Sequence, residues 1–101
     1  MAGISLKKLE NGRFMLQGEL SFATASAVWR EGLELFNNSP ELSLDLSGIT
    51  RSDSAGLTLL VEWLRYAQSQ HKQLTFLNMP QQMLAIARVS GLDGILPLDN
   101  S

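Results

Sequence analysis

The chain has 101 residues and a net charge of −2, enough for one domain and its core but too few for two. Its eight Lys and Arg are scattered, not gathered into the basic stripe a nucleic-acid binder needs, and no apolar run reaches the ~18 residues that span a bilayer. With no cysteine and a single histidine, His71, a disulfide framework, a thiolate zinc centre and a histidine-rich metal site are excluded; no cofactor is expected.

Met1 to Lys8 lacks the apolar core of a signal peptide, so the reading is a cytoplasmic protein. Ile4 to Leu9 fits a short strand, and Asn11-Gly12 is a strong two-residue hairpin signal. Arg13 to Gln17 is then a second strand, with Phe14 and Leu16 on one face and Met15 and Gln17 on the other; Gly18-Glu19-Leu20 leads out of it. Ser21 or Thr24 can cap a helix running to about Phe36, whose positions Ala25, Val28, Trp29, Gly32, Leu35 and Phe36 follow helical spacing. Asn37-Asn38-Ser39-Pro40 ends it, because proline cannot continue a helix.

Leu42, Leu44 and Leu46 alternate with Ser43 and Asp45, the period of a half-buried strand, and Ser47-Gly48 supplies turn chemistry at its end. A second helix is predicted from about Ser54 to Gln70. Gln73 to Leu77 is a further strand. A third helix opens at Asn78 and Pro80 and runs to about Ser90, with Gly91 as its C′ residue. Leu92 to Leu98 is an apolar tail, one turn or an edge strand. The order strand, strand, helix, strand, helix, strand, helix implies an α/β fold: a mixed sheet with parallel central strands and helices packed mainly on one face, the other face staying partly wet because the strands alternate.

On the second helix, Leu57, Leu60, Val61 and Leu64 form the stripe expected against a sheet. Leu59, Trp63 and Tyr66 gather on a second stripe, with Ala55 beside them and Thr58, Glu62 and Arg65 on a flank. Either this second stripe packs beneath a neighbouring element, or it is an exposed docking face of the kind that centres on Trp and Tyr. The docking reading takes Arg51, Ser52, Asp53, Ser54, Ala55, Thr58, Leu59, Glu62, Trp63 and Tyr66 as partner-binding residues.

Ser52, Asp53 and Ser54 are all N-cap residue types, and small Ala55 and Gly56 leave the helix tip bare on this reading. Ser54 is then either a plain cap or a recognition or phosphorylation site, where added phosphate would be tolerated by the helix N-terminus and would repel a docked partner. Catalysis has little support. The sole imidazole lies about 25 Å from Ser54 at 1.5 Å per residue, and a serine nucleophile needs a base within hydrogen-bond reach. Asp45 and Asp53 are the one conceivable carboxylate pair. Gly48 and Gly56 make no phosphate-cradling motif.

Asp45-Leu46-Ser47-Gly48-Ile49 followed by Asp53-Ser54-Ala55-Gly56-Leu57, with Gly18-Glu19-Leu20 upstream, resembles the signature of STAS domains, the sulfate-transporter and anti-sigma-factor-antagonist fold. The likeness runs from about Phe14 to Leu98, and the expected single domain covers residues 1–101, with its core at about 4–98. Ser21-Phe22-Ala23-Thr24-Ala25, Glu62-Trp63-Leu64-Arg65 and Ala87-Arg88-Val89-Ser90-Gly91 resemble the branch of small stand-alone STAS subunits. That resemblance implies a non-enzymatic accessory subunit bound to the cytoplasmic ATPase of a phospholipid-trafficking ABC transporter that maintains outer-membrane lipid asymmetry. It would meet the membrane only through that complex. The residue at the place of Ser54 is important in the family, and in anti-sigma-factor antagonists it is the phosphorylated serine. Ala55 stands where those antagonists often carry a second serine. A phosphorylation-switched antagonist is the second reading. Direct binding of a lipid or small ligand near the helix N-terminus is the third, with Arg51 alone to meet a phosphate headgroup.

Overall fold

Chain order and sheet order coincide in this protein. A computed structural model, which describes residues 3–99, places β1 (Ile4–Lys8), β2 (Arg13–Leu20), β3 (Glu41–Ser52), β4 (Gln73–Leu77) and β5 (Leu98–Asp99) side by side in that sequence. β1 runs antiparallel to β2, and every later neighbour is parallel. The crossovers carry α1 (Phe22–Phe36), α2 (Ser54–Ser69) and α3 (Gln81–Val89). Phe14, Leu16, Leu42, Leu44, Leu74 and Phe76 point into the core, whereas Met15, Gln17, Ser43, Thr75 and Leu77 are only half-buried on the opposite face. The α/β fold with parallel central strands and helices on one face is therefore the fold that the alternation predicts.

Two strands are longer than expected. Gly18-Glu19-Leu20 does not lead out of β2, and Ser47-Gly48 does not end β3; both strands run on and stay paired, Gln17 with Gly48, Gly18 with Ile49 and Leu20 with Ser52. Register shifts fall between Met15 and Gln17 and between Gly18 and Glu19. Bulges absorb the irregularity that turn-type residues otherwise signal. Gly48 is needed for close approach rather than for turning, since a Cβ there would lie 2.7 Å from the Leu16 carbonyl oxygen. Other punctuation acts as the residue types suggest. Asn11 and Gly12 are both left-handed, at φ 57° and 75°, in the hairpin. Gly91, at φ 72°, ends α3 with the paired bonds of a Schellman motif, Leu92 N–H to Ala87 O at 2.8 Å and Gly91 N–H to Arg88 O at 3.1 Å. The apolar tail supplies a turn, with Leu96 N–H donating to Leu92 O at 3.0 Å, and then the two residues of β5.

The second stripe of α2 faces inward. Trp63 is fully buried, Leu59 is 5% exposed and Tyr66 is half-buried, so the expectation of an outward aromatic face is overturned. The cause is the position of α2 between its neighbours: it packs on α1 along one flank, on α3 along the other and on β3 and β4 beneath. A helix enclosed on three sides buries a broad arc, here roughly 160° at 100° per residue, and Gly56 and Ala67, both buried, join the two apolar stripes into one.

Trp63 is the centre of that contact. Its ring meets Phe36 edge-on, with centroids 5.3 Å apart, and Phe36 meets Phe14 the same way at 5.0 Å. Its indole N–H donates to the Trp29 carbonyl at 3.3 Å, which satisfies the one polar atom the burial brings inside. α1 can approach this closely because Gly32 lies over the ring; a Cβ on Gly32 would sit 2.5 Å from Trp63 Cζ2. In an exposed helix interior, Gly→Ala stabilises by about 1 kcal/mol. Gly32→Ala is expected to reverse that sign and cost about 1–3 kcal/mol through overpacking, read as a lower urea midpoint together with a changed Trp63 fluorescence maximum.

Candidate functional site

The sequence-selected residues converge where β3 runs into α2. Asp53, in extended backbone, is the N-cap. Its Oδ1 accepts from the backbone N–H of Ala55 at 2.9 Å and of Gly56 at 3.3 Å, and its Oδ2 accepts from the backbone N–H of Phe22 at 3.3 Å. One carboxylate thus closes the first turns of both α1 and α2. The tip of α2 is not bare, as small Ala55 and Gly56 suggest, and Ser54 is not its cap. Ser54 is the first helical residue; it is exposed, with its hydroxyl left out of the capping. Thr24 reinforces the start of α1: its hydroxyl accepts from Ser21 N–H at 3.0 Å and donates to the Glu19 carbonyl at 2.7 Å.

The remaining residues divide by exposure. Arg51 is exposed and reaches Glu19, Nε to Oε1, at 4.0 Å. Ser52 closes β3 and is 8% exposed. Thr58 is exposed, Ala55 and Glu62 are half-exposed, and Glu62 accepts from Arg65 at 3.4 Å. Leu59 and Trp63 belong to the core, and Tyr66 packs against it; Trp63 in particular cannot meet a partner without unfolding the α1–α2 contact.

Two concave features lie at the start of α2, lined by residues on either side of Ser54 in the chain. On one side, Ala25 and Trp29 of α1 and Ala55, Thr58, Leu59 and Glu62 of α2 line an apolar groove of about 270 Å³. On the other, Glu19, Ser21, Arg51, Ser52, Asp53 and Gln82 line a polar cleft of about 370 Å³. Phe22, 84% exposed, stands at the start of α1 with its N–H on Asp53. Residue-type reasoning passed over it. The signal was present in the spacing, because Phe22 lies seven residues before Trp29 and so on the same flank of α1.

The other candidate groups serve the fold. Asp45 is buried and faces away from the helices; its Oδ1 accepts from Ser47 N–H at 2.9 Å and from the Asn78 amide at 3.2 Å. Burial, the largest single influence, pushes its carboxyl up, but the Ser47 backbone N–H and hydroxyl, the Asn78 amide and the Arg13 guanidinium together hold it below the ordinary value. Asp45 and Asp53 therefore hold separate sets of donors and form no acid–base pair. At the opposite end of α2, His71 adopts a left-handed φ of 57° as the C′ residue, and Lys72 Nζ donates to the carbonyls of Asn37 at 3.0 Å and Ser39 at 2.8 Å. The sole imidazole is thus a helix terminator remote from Ser54.

The family model described as "Mlab, STAS domain" matches residues 7–97. The chain belongs to the STAS family. A curated relative of this STAS domain, the intermembrane phospholipid transport system binding protein MlaB of Haemophilus influenzae, is 32% identical over 81 residues, covering 76% of this chain and 77% of that protein. Among solved structures, an anti-sigma factor antagonist from Mycobacterium paratuberculosis superposes with a TM-score of 0.70 at 20% identity, over 100% of this chain and 87% of that one. The Bacillus cell fate determinant SpoIIAA in its phosphorylated form does so at 0.69 and 16% identity, over 98% and 93%. At these identities the solved structures show a shared fold and nothing finer.

Removing the shared cap is expected to destabilise this STAS domain: Asp53→Ala should cost about 1–2 kcal/mol, measured by urea unfolding, with the amide protection of Phe22, Ala55 and Gly56 falling together in hydrogen exchange. For Asp45 the sign follows from its lowered carboxyl. Its contribution is present above the unfolded value of about 3.9 and is lost as pH falls through the folded one. Urea midpoints compared at about pH 5 and about pH 3 should therefore fall further in the native chain than in Asp45→Asn.

Proposed function

We propose that this STAS domain is a non-catalytic accessory subunit of a phospholipid-trafficking ABC transporter, docking on the transporter's cytoplasmic ATPase through the face around Ser54. On this reading it is peripheral to the inner membrane and meets lipid only through the complex, in the service of outer-membrane lipid asymmetry. The relationship to MlaB supports the transporter assignment. The observation that carries the docking face is the exposed Ser54, outside the cap, set between Asp53, which holds the N–H of exposed Phe22, and Ala55 of the α1–α2 groove. Apolar surface containing aromatic residues with a polar rim is the composition of interface centres. The contact region is thereby Arg51, Asp53, Ser54, Ala55, Thr58 and Glu62, joined by Phe22, Ala25 and Trp29 of α1 in place of the buried Trp63 and the half-buried Tyr66. The subunit acts by favouring one conformation of its partner, with binding strength differing between the partner's states.

A second reading, an anti-sigma-factor antagonist switched by phosphorylation of Ser54, draws support from the same exposed hydroxyl. Phosphoserine at Ser54 in protein isolated from its native cell, together with a bound anti-sigma kinase and no ATPase, would favour it.

The docking reading is tested by titrating the purified ATPase subunit with the chain. Ser54→Glu places a charge where a helix N-terminus tolerates it, and Thr58→Arg adds bulk at an exposed groove position, so both should fold normally. Each is expected to weaken binding by at least about tenfold, or ~1.4 kcal/mol. Unchanged affinity in both, with native thermal midpoints, would sink the ATPase-docking face.

A further inference from the structure

The cleft on the Glu19 side of Ser54 is chemically unlike the groove. Two carboxylates, Glu19 and Asp53, face a single guanidinium, Arg51. Arg51 does little to neutralise Glu19: its side chain is 79% exposed and it approaches only to 4.0 Å, a solvent-screened contact of the kind that is readily displaced. The bulge at Gly18 and Glu19 is the type of irregularity that re-aims a side chain, and the Thr24 hydroxyl bonded to the Glu19 carbonyl holds that backbone in place. On the same wall, the Ser21 hydroxyl oxygen is buried without a hydrogen-bond partner, and Ser52 beside it is more than nine-tenths buried. A buried hydroxyl left unpaired in a native fold calls for a partner.

An anion is a poor occupant. The α1 and α2 backbone N–H groups that would cradle a phosphate already donate to Asp53, and the excess of carboxylate opposes more negative charge. A group rich in donors and positively charged meets both conditions: it neutralises Glu19 and offers N–H to the serine oxygens. Resting on the docking reading above, we infer that this cleft receives an arginine or lysine side chain of the protein docked at Ser54, with Glu19 as its counter-ion. Arg51 is displaced toward solvent when the partner's cation enters. A planar guanidinium with five donors suits a carboxylate flanked by hydroxyls better than an ammonium does.

The test is calorimetric titration of the purified ATPase subunit at low and at physiological salt, with Glu19→Gln, Arg51→Gln and Thr58→Arg compared with the native chain. Glu19→Gln is expected to weaken binding about tenfold and to flatten its salt dependence. Arg51→Gln, which removes the competing cation from the cleft, should tighten binding. Were the Glu19–Arg51 pair merely structural, the two substitutions would act alike, so opposite signs are diagnostic. If Thr58→Arg abolishes binding while Glu19→Gln leaves the affinity and salt slope untouched, the cation assignment is overturned and the docking face stands. If Thr58→Arg and Ser54→Glu both leave the affinity unchanged, the docking face itself is wrong and the assignment falls with it. Competition by millimolar inorganic phosphate that is lost in Arg51→Gln would show an anion site and overturn the assignment as well.

Discussion

The packing of Trp63 under Gly32 governs the rest of the molecule. A large aromatic side chain on α2 fits beneath α1 only because α1 offers no side chain at the point of contact, and Phe36 and Phe14 complete the edge-to-face chain from the helix layer to the sheet. The indole N–H on the Trp29 carbonyl fixes the register of one helix against the other. With that register set, Phe22 lies beside the start of α2 and the Asp53 carboxylate can reach both helix tips. The surface around Ser54 is thus held at two levels, by a buried ring and by a shared cap.

Most of the architecture was legible because burial is one-sided in the sheet. Leu42, Leu44 and Leu46 mark a strand and its inner face by alternation alone, and the residues that end α1 and α3 do so by the chemistry that made them recognisable. Two things were not legible. Gly18 and Gly48 read as breaks, yet in parallel neighbours they permit bulges and close approach, and only the partner strand distinguishes those roles. The stripe of Leu59 and Trp63 looked surplus because one apolar face suffices for a helix lying on a sheet. α2 is enclosed by two further helices, and the small buried residues Gly56 and Ala67 were the sign that its two stripes are one arc. Trp63, the most conspicuous candidate for a surface anchor, is the residue on which the interior is built.

The candidate site was half visible. Asp53 and Ser54 stand out by residue type, and the structure exchanges their roles: the carboxylate caps and the hydroxyl is free. Glu19 stands in the sequence as part of a strand exit and of the family signature but not as a site residue, since nothing in a single sequence aligns the end of β2 with the end of β3. The parallel pairing of Glu19 with Arg51 brings them together. What results is a surface with an apolar groove and a cleft that carries carboxylates, on a scaffold whose only imidazole terminates a helix at the other end. On the docking reading proposed above, such a surface acts on its partner's choice of conformation.

The coincidence of chain order with sheet order has a bearing on how the molecule is made. As the polypeptide leaves the ribosome, each new strand finds its neighbour already synthesised, so the sheet can grow outward from the N-terminal hairpin without waiting for a later segment to be inserted. The aromatic cluster does not share this advantage. Phe14 and Phe36 emerge well before Trp63, and until α2 follows their pair lacks the ring that covers it. The nascent chain therefore carries an unsealed apolar seam across the whole of β3, the interval in which it is most open to chaperones and most exposed to aggregation.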